Sequence, residues 1–308
     1  MTVKNGKMNI VSVINIIVAL AAAPLLLGII NRTKAVFAGR TGKPLLQVYY
    51  DVFKLLGKGA VYSNTTTWIF RAGPAVGLAA SVAAMLLVPM SGAAALVAFP
   101  GDFVLLAYLL GVARFFTVIA ALDTGSAFEG MGASREATFS IVAEPALFLG
   151  LAALARKAGS FSLSGMLAGV PLDKWGQAGP VFVLVAGSLF IIALSENSRI
   201  PVDDPNTHLE LTMIHEVMVL DHGGPDFAFI LYASSLKLWI FGALVVCTLV
   251  PMSDLGIMGL PVFIAAMAVF GIMVGTIESS MGRLKMMRVP QFLVSAAALS
   301  AFALFISM

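Results

Sequence analysis

Apolar residues along the chain gather in long runs, without the strict alternation of half-buried strands. Eight runs reach the ~20 mostly apolar residues a helix needs to cross a hydrocarbon layer ~30 Å thick, where backbone groups find no water. They lie at 8–30, 68–90, 103–121, 138–155, 178–195, 228–250, 258–277 and 289–307. The stretches between them leave no tract large enough for a separate globular domain, and no long repeat or low-complexity segment is present. The pattern predicts an all-α fold: a polytopic transmembrane helical bundle of about eight spans, forming a single integral membrane domain over 1–308. Two polar segments interrupt it. In the loop 31–67, Leu45, Val48, Tyr49, Val52, Leu55 and Leu56 recur at helical spacing, with Gln47, Asp51, Lys54 and Lys58 elsewhere. This spacing predicts an amphipathic helix along the membrane surface, either a plain anchor for the loop or a docking element. After the fifth run, Asp203 and Asp204 before Pro205 read as a helix start. A polar loop helix is expected over 205–220, with Leu209, Met213, Val217 and Leu220 on its apolar face.

Composition agrees. Of 308 residues, 59% are hydrophobic and 11% charged, with a mean hydropathy of +0.97, whereas soluble domains carry about a quarter charged residues. A soluble fold is excluded. Eight spans put both termini on one side. The loops of the other side hold Arg32, Lys34, Arg40, Lys43, Lys54, Lys58, Arg71, Arg135, Arg199, Arg283, Lys285 and Arg288, against Lys4, Lys7, Arg156, Lys157 and Lys174 on the termini's side. Cations favour the cytoplasm, so the expected location is the cytoplasmic membrane of a prokaryote, with termini outside and the large polar loops inside. Lys4 and Lys7 before an apolar run that contains Ala21-Ala22-Ala23 also suit a signal peptide, but the run exceeds a typical signal core. The formal net charge of +3 is too slight to suggest nucleic acid as a partner. The single cysteine, Cys247, forms no internal disulfide, CxxC pair or four-thiolate cluster.

Three ionisable residues fall well inside predicted spans: Arg114, Glu144 and Lys237. Each costs about 2.5–3.5 kcal/mol at the midplane on insertion scales, so they are expected to face the bundle interior or a hydrated cavity, paired. Glu144 precedes Pro145, whose missing N–H frees a carbonyl one turn back and admits water or a polar group. It reads either as a buried proton relay or as one half of a static pair with Arg114 or Lys237. The densest polar cluster, running from Glu196 and Arg199 through Asp203, His208, Glu210, His215 and Glu216 to His222 and Asp226, suits proton hopping between water and a buried carboxylate. A solvated charged loop is the alternative. His208, His215 and His222 recur every seven residues, about 10 Å apart on a helix, too far for two of them to share one ion. No metal site is expected, and no phosphate-binding GxxxxGK[ST] motif occurs.

The segment Glu196-Asn-Ser-Arg199-Ile-Pro201-Val-Asp203-Asp-Pro205-Asn-Thr-His208-Leu-Glu210 resembles the signature loop of the respiratory-chain subunit 1 family of respiratory complex I (NADH-quinone oxidoreductase). It is most similar to the branch in group 4 energy-converting [NiFe] hydrogenases, the membrane subunit called formate hydrogenlyase subunit 4 or hydrogenase-4 component C. Gly39 to Pro44 with Gln47, Asp51 and Lys54, Ala113 to Glu136, and Glu278 to Arg283 extend the likeness over roughly 31–290.

The resemblance implies a membrane anchor and ion-coupling subunit that links electron transfer in a peripheral arm to proton or sodium translocation, without a catalytic centre of its own. The [NiFe] centre and Fe-S clusters would then belong to partners: hydrogenase large and small subunits, a ferredoxin-like Fe-S subunit and antiporter-like membrane subunits. It implies a proton relay of Glu144, Glu196, Asp203, Glu210, Glu216, His208 and His215, with Arg114, Arg199 and Lys237 as charge partners. Arg40, Gln47, Asp51, Lys54, Asp123, Arg135, Glu136 and Arg283 would serve subunit docking. Asn206 and His208 stand where quinone-reducing members usually carry glutamates, so the quinone-binding subunit of a complex I-like quinone oxidoreductase is the alternative within the family. An autonomous secondary transporter is the alternative outside it, although the chain shows no paired halves with matching breaks.

Overall fold

The computed structural model describes residues 10–168, 172–203, 213–253 and 255–308. Its α-helices are α1 (Ile10–Phe37), α2 (Gln47–Leu56), α3 (Trp68–Met85), α4 (Asp102–Asp123), α5 (Ala127–Ala158), α6 (Leu172–Glu196), α7 (Gly224–Leu249), α8 (Gly259–Ser280) and α9 (Val289–Ile306). All but α2 provide segments long and apolar enough to cross a membrane. Among the described residues the one β feature is an isolated bridge between Met90 and Ala93. The chain is a multi-pass helical membrane protein.

Helices α6 and α7 form the centre, each with 67% of its apolar window buried, against 17% for α4 at the periphery. Around them α3 packs on α4 and α7, α9 on α5 and α6, and α8 on α1. Prolines interrupt α1 (Pro24), α3 (Pro74), α5 (Pro145) and α6 (Pro180). Pro24 has no N–H to give the carbonyl of Leu20. The Tyr232 hydroxyl of α7 supplies the missing donor at 2.9 Å, and the Tyr49 hydroxyl of α2 donates to the next carbonyl, Ala21.

Helix α2 thus forms where the spacing predicts and is fastened to the flank of α1. Gly28 permits this approach, because a Cβ there would stand 2.1 Å from the Leu45 carbonyl oxygen. The expected apolar face divides: Val48 is buried and Val52 half-buried, while Leu45 and Leu56 are exposed beside Tyr50 and Phe53. The polar loop helix departs further from expectation. Residues 204–212 lie outside the described residues, and within 213–220 the chain makes one 3-10 turn, Glu216–Val219. Met213 and Val217 are buried as expected, whereas Leu220 is exposed. This segment rests on α5 at Gly132, where a Cβ would meet Val217 at 2.4 Å and the Ile214 carbonyl at 2.8 Å. A close seat on glycine, rather than an amphipathic helix, holds the loop down.

Candidate functional site: a charged chain beside a cavity

Helices α4, α5, α6 and α7 each bring a charged side chain to one place near the polar-loop end of the bundle. Arg114 of α4 is the hub. Its Nε lies 3.1 Å from Glu136 of α5, its Nη2 2.5 Å from Glu196 at the end of α6, and its Nη1 bonds Glu144, also on α5. Glu196 takes Lys237 of α7 on its other oxygen at 2.8 Å. Glu136 continues outward: its second oxygen meets His215 Nε2 at 3.0 Å, His215 Nδ1 meets Asp203 at 3.2 Å, and the other Asp203 oxygen meets Arg283 at 3.0 Å. Lys237, Glu196, Arg114, Glu136, His215, Asp203 and Arg283 form an unbroken alternation of cation and anion, with Glu144 as a side branch.

Alternation explains how so many charges tolerate low exposure. The side chains of Glu136 and Glu196 are 6% exposed and that of Asp203 2%, and a buried carboxylate is tolerable only when paired and hydrogen-bonded. Asp203 Oδ2 also accepts the backbone N–H groups of Ile214 and His215. Burial works against charge on His215, yet the carboxylates of Glu136 and Asp203, one at each ring nitrogen, push its pKa up to about 10. The ring is therefore an imidazolium at neutral pH. Burial likewise works against the Asp203 carboxylate, but hydrogen bonds from His215 and the charges of His215 and Arg283 hold it below its ordinary range.

A second cluster sits alongside. Glu278 of α8, with its side chain fully buried, bridges Lys34 of α1 at 2.8 Å and Arg199 at 3.4 Å. Both clusters reach a cavity of about 420 Å³, the second through Arg199. The cavity lining mixes charged residues such as Arg114, Glu136, Glu196 and Lys237 with apolar ones such as Leu27 and Ile230.

Several expected residues stand elsewhere than anticipated. Glu144 is not buried: its side chain is 49% exposed, on an outer face of α5 with exposed Ile141 and Pro145. His208 and Glu210 lie outside the described residues. Of the residues assigned to docking, Glu136 and Arg283 belong to the charged chain, and Arg135 donates to the Met213 carbonyl at 2.7 Å. Asp123 accepts from the Thr67 amide and hydroxyl at the start of α3, and Gln47 donates to Asp51 within α2. Arg40 and Lys54 point outward. Glu278 had no assigned role in the sequence. The signal for both acids was present: Glu136 and Glu278 lie two residues and one residue outside the apolar runs 138–155 and 258–277, and the helices continue through them. Among the described residues no three His, Cys, Asp or Glu side chains converge in a metal-holding group.

Comparison with known proteins gives a consistent answer. Formate hydrogenlyase subunit 4 of Escherichia coli (strain K12) is 30% identical over 280 residues, covering 89% of this chain and 90% of its own. Hydrogenase-4 component C of the same organism is 29% identical over 250 residues, 81% of this chain and 78% of its own. A subunit of the NADH-quinone oxidoreductase of Neisseria meningitidis serogroup C (strain 053442) is 25% identical over 210 residues, 65% of this chain and 57% of its own. Among solved structures, a chain of the membrane-bound sulfane sulfur reductase, an archaeal respiratory membrane complex, shares the fold with a TM-score of 0.81 at 18% identity, over 96% of this chain and 98% of that one. The model of the NADH dehydrogenase family matches residues 9–308, and the chain belongs to that family.

Proposed function

We propose that the chain is the membrane anchor and coupling subunit of a multisubunit [NiFe] hydrogenase or a related complex I-like oxidoreductase, linking redox chemistry in an attached arm to proton or sodium movement. The observation that carries this reading is the unbroken charged chain from Lys237 to Arg283. It joins the loop between α6 and α7 to groups inside the membrane-spanning helices. The two E. coli relatives, by name subunits of formate hydrogenlyase and hydrogenase-4, support the hydrogenase assignment. The [NiFe] centre and Fe-S clusters would reside in hydrogenase large and small subunits and a ferredoxin-like subunit.

Mechanistically, Arg114 divides its guanidinium among Glu136, Glu144 and Glu196. A redox-driven shift of the loop that moves His215 or Asp203 alters how much of Glu136 is engaged outward, and so how much of Arg114 remains for Glu144. The proton affinity of Glu144 follows, which is a differential interaction of the kind a two-state coupling needs. The half-exposed position of Glu144 supports a lateral partner. A carboxylate left against lipid costs about 2.5–3.5 kcal/mol, and an antiporter-like membrane subunit would cover it and receive its proton. The orientation follows from the loop cations, with the cavity end cytoplasmic.

The test is Glu144→Gln in the assembled complex in vesicles. Hydrogen-linked electron transfer should survive while redox-driven ion movement falls at least tenfold. Wild-type ion movement by an intact variant complex removes Glu144 from the path. A second reading, a quinone-binding subunit, is favoured by the cavity, whose apolar and charged walls suit an amphiphile's tail and head. Turnover that requires added quinone selects it, and turnover without quinone but with a hydrogenase partner rejects it.

A further inference from the structure

The charged chain leaves one buried base unused. His222, in the loop just before α7, is 8% exposed and lies flat on Phe70, ring centroids 3.9 Å apart and planes 7° from parallel. Its Nδ1 is buried and has no hydrogen-bond partner among the described residues. The same residue lines the 420 Å³ cavity, whose wall also carries His215, Glu136 and Glu196. His222 and the charged chain therefore share one hydratable space without touching.

Acids surround His222 on its other side. Asp226, at the first turn of α7, and Asp221, beside it in the loop, both act on the ring electrostatically. Asp226 keeps one buried oxygen, Oδ2, without a hydrogen-bond partner among the described residues, as does Glu129 with its Oε1 on α5. Asp221 interacts with Glu129 in turn. From α3 and the preceding loop come Arg71, 4.3 Å over the Tyr62 ring, and Tyr62 itself, whose hydroxyl faces Asp226. Buried polar atoms without protein partners are places where ordered water completes the bonding. Here His222 is the member of the group that also lines the cavity.

We propose that His222 is a proton inlet: its imidazole takes a proton from water at the Asp221–Asp226 rim and releases it to water in the cavity, within reach of the Glu136, His215 and Glu196 groups. The ring returns to its neutral form after each transfer, so no other reactant is consumed. Burial pushes His222 below its ordinary pKa, which keeps the ring neutral and ready to accept at pH 7. His215, held as an imidazolium between two carboxylates, lacks that readiness. The inference rests on the proposed coupling function and adds the route by which protons reach it.

The experiment uses the whole complex in vesicles and follows the rate of redox-driven proton movement at pH 7.5. His222→Phe keeps an aromatic ring on Phe70 but has no exchangeable nitrogen. Proton movement should slow about fivefold or more, electron transfer without a gradient should hold, and millimolar imidazole or azide should restore the rate. Phe70→Leu, which removes the stack and keeps the imidazole, should stay within twofold of wild type. An unchanged His222→Phe rate, or a Phe70→Leu loss equal to that of His222→Phe without chemical rescue, overturns the inlet. Loss of proton movement in Glu144→Gln alongside an unaffected His222→Phe rejects the inlet while leaving the coupling function standing. A wild-type complex that moves sodium ions but no protons rejects the inlet alone, and one that moves neither rejects both.

Discussion

The two ends of the bundle satisfy their polar groups by opposite means. At the end that carries the termini, closure among the described residues relies mainly on hydrogen bonds. Asn15 donates to the Met90 carbonyl and accepts from Ser91, Ser12 donates to the Ala94 carbonyl, and the Ala95 amide finds Ser164. Its fully buried acid, Asp102, begins α4 and accepts from Ser162 and the Leu163 amide, each at 2.7 Å. The other end draws Arg114, Glu136, Glu196, Lys237, His215, Asp203 and Arg283 into one connected chain. The terminal end closes on neutral hydrogen bonds and one hydrogen-bonded acid, so fold closure alone does not require ion pairs. Buried pairs are rarely a gain over apolar packing. Their confinement to one end marks where charge serves something besides the fold.

The largest expected effect breaks this contrast at its hub. Arg114→Leu leaves Glu136, Glu144 and Glu196 without their shared cation, and removing one partner of a buried pair costs about 3–5 kcal/mol. Assembly of the complex and thermal stability in detergent should both fall sharply. Glu144→Gln in the Arg114→Leu background, which neutralises the carboxylate whose ion-pair partner among the described residues was Arg114, should recover part of the stability without recovering ion movement. A stable, coupling-competent Arg114→Leu protein would mean the chain is ornamental.

A second effect concerns pH at the same end. The folded pKa of His215 is raised to about 10 from an ordinary 6.5, so its stabilisation of the loop is complete below about pH 6.5 and disappears as pH rises through about 10. Asp203 has the opposite sign: held below its ordinary 3.8, it stabilises above that value and loses its contribution as pH falls through the lowered one. Protection of residues 213–223 against hydrogen exchange should therefore be greatest from pH 5 to about 6.5 and fall progressively towards pH 10, while the Asp102 end stays protected. In His215→Gln the alkaline step should vanish. Its persistence would place the titrating group elsewhere.

Much of this arrangement is legible in the sequence. The membrane-spanning helices follow from hydropathy because the bilayer demands a fixed length of apolar helix. The pairing of Arg114, Glu144 and Lys237 with other charges follows from the cost of leaving them alone in the membrane. Partner choice does not follow. Glu136, Glu196 and Glu278 stand just beyond the apolar runs, so hydropathy assigns them to loops, whereas α5 extends back to Ala127, α6 runs through Glu196 and α8 to Ser280. The exposure of Glu144 escapes the sequence for a related reason: helical periodicity in a segment apolar all round does not say which side meets neighbours. The 213–220 segment lacks its expected helix because its seat on Gly132 and the Asp203 bonds to the Ile214 and His215 amides are tertiary contacts.

The smallest expected effect sharpens the comparison from the quiet end. Asp102→Asn retains one side-chain oxygen for the Leu163 amide, and the Ser162 hydroxyl can turn to accept from the new amide group, while the Phe99 amide loses only a long bond of 3.4 Å. What disappears is the charge: two charge-assisted bonds become neutral, and the N-terminal dipole of α4 loses its anion, together about 1–3 kcal/mol. A modest fall in the unfolding midpoint is expected, with redox-driven ion movement per folded complex unchanged. Glu196→Gln, an equally conservative exchange at the other end, keeps an oxygen for only one of Arg114 and Lys237, turns a donor towards the other, and should lower ion movement as well as stability. Should Asp102→Asn impair ion movement as strongly as Glu196→Gln, the division between a closing end and a working end would be wrong.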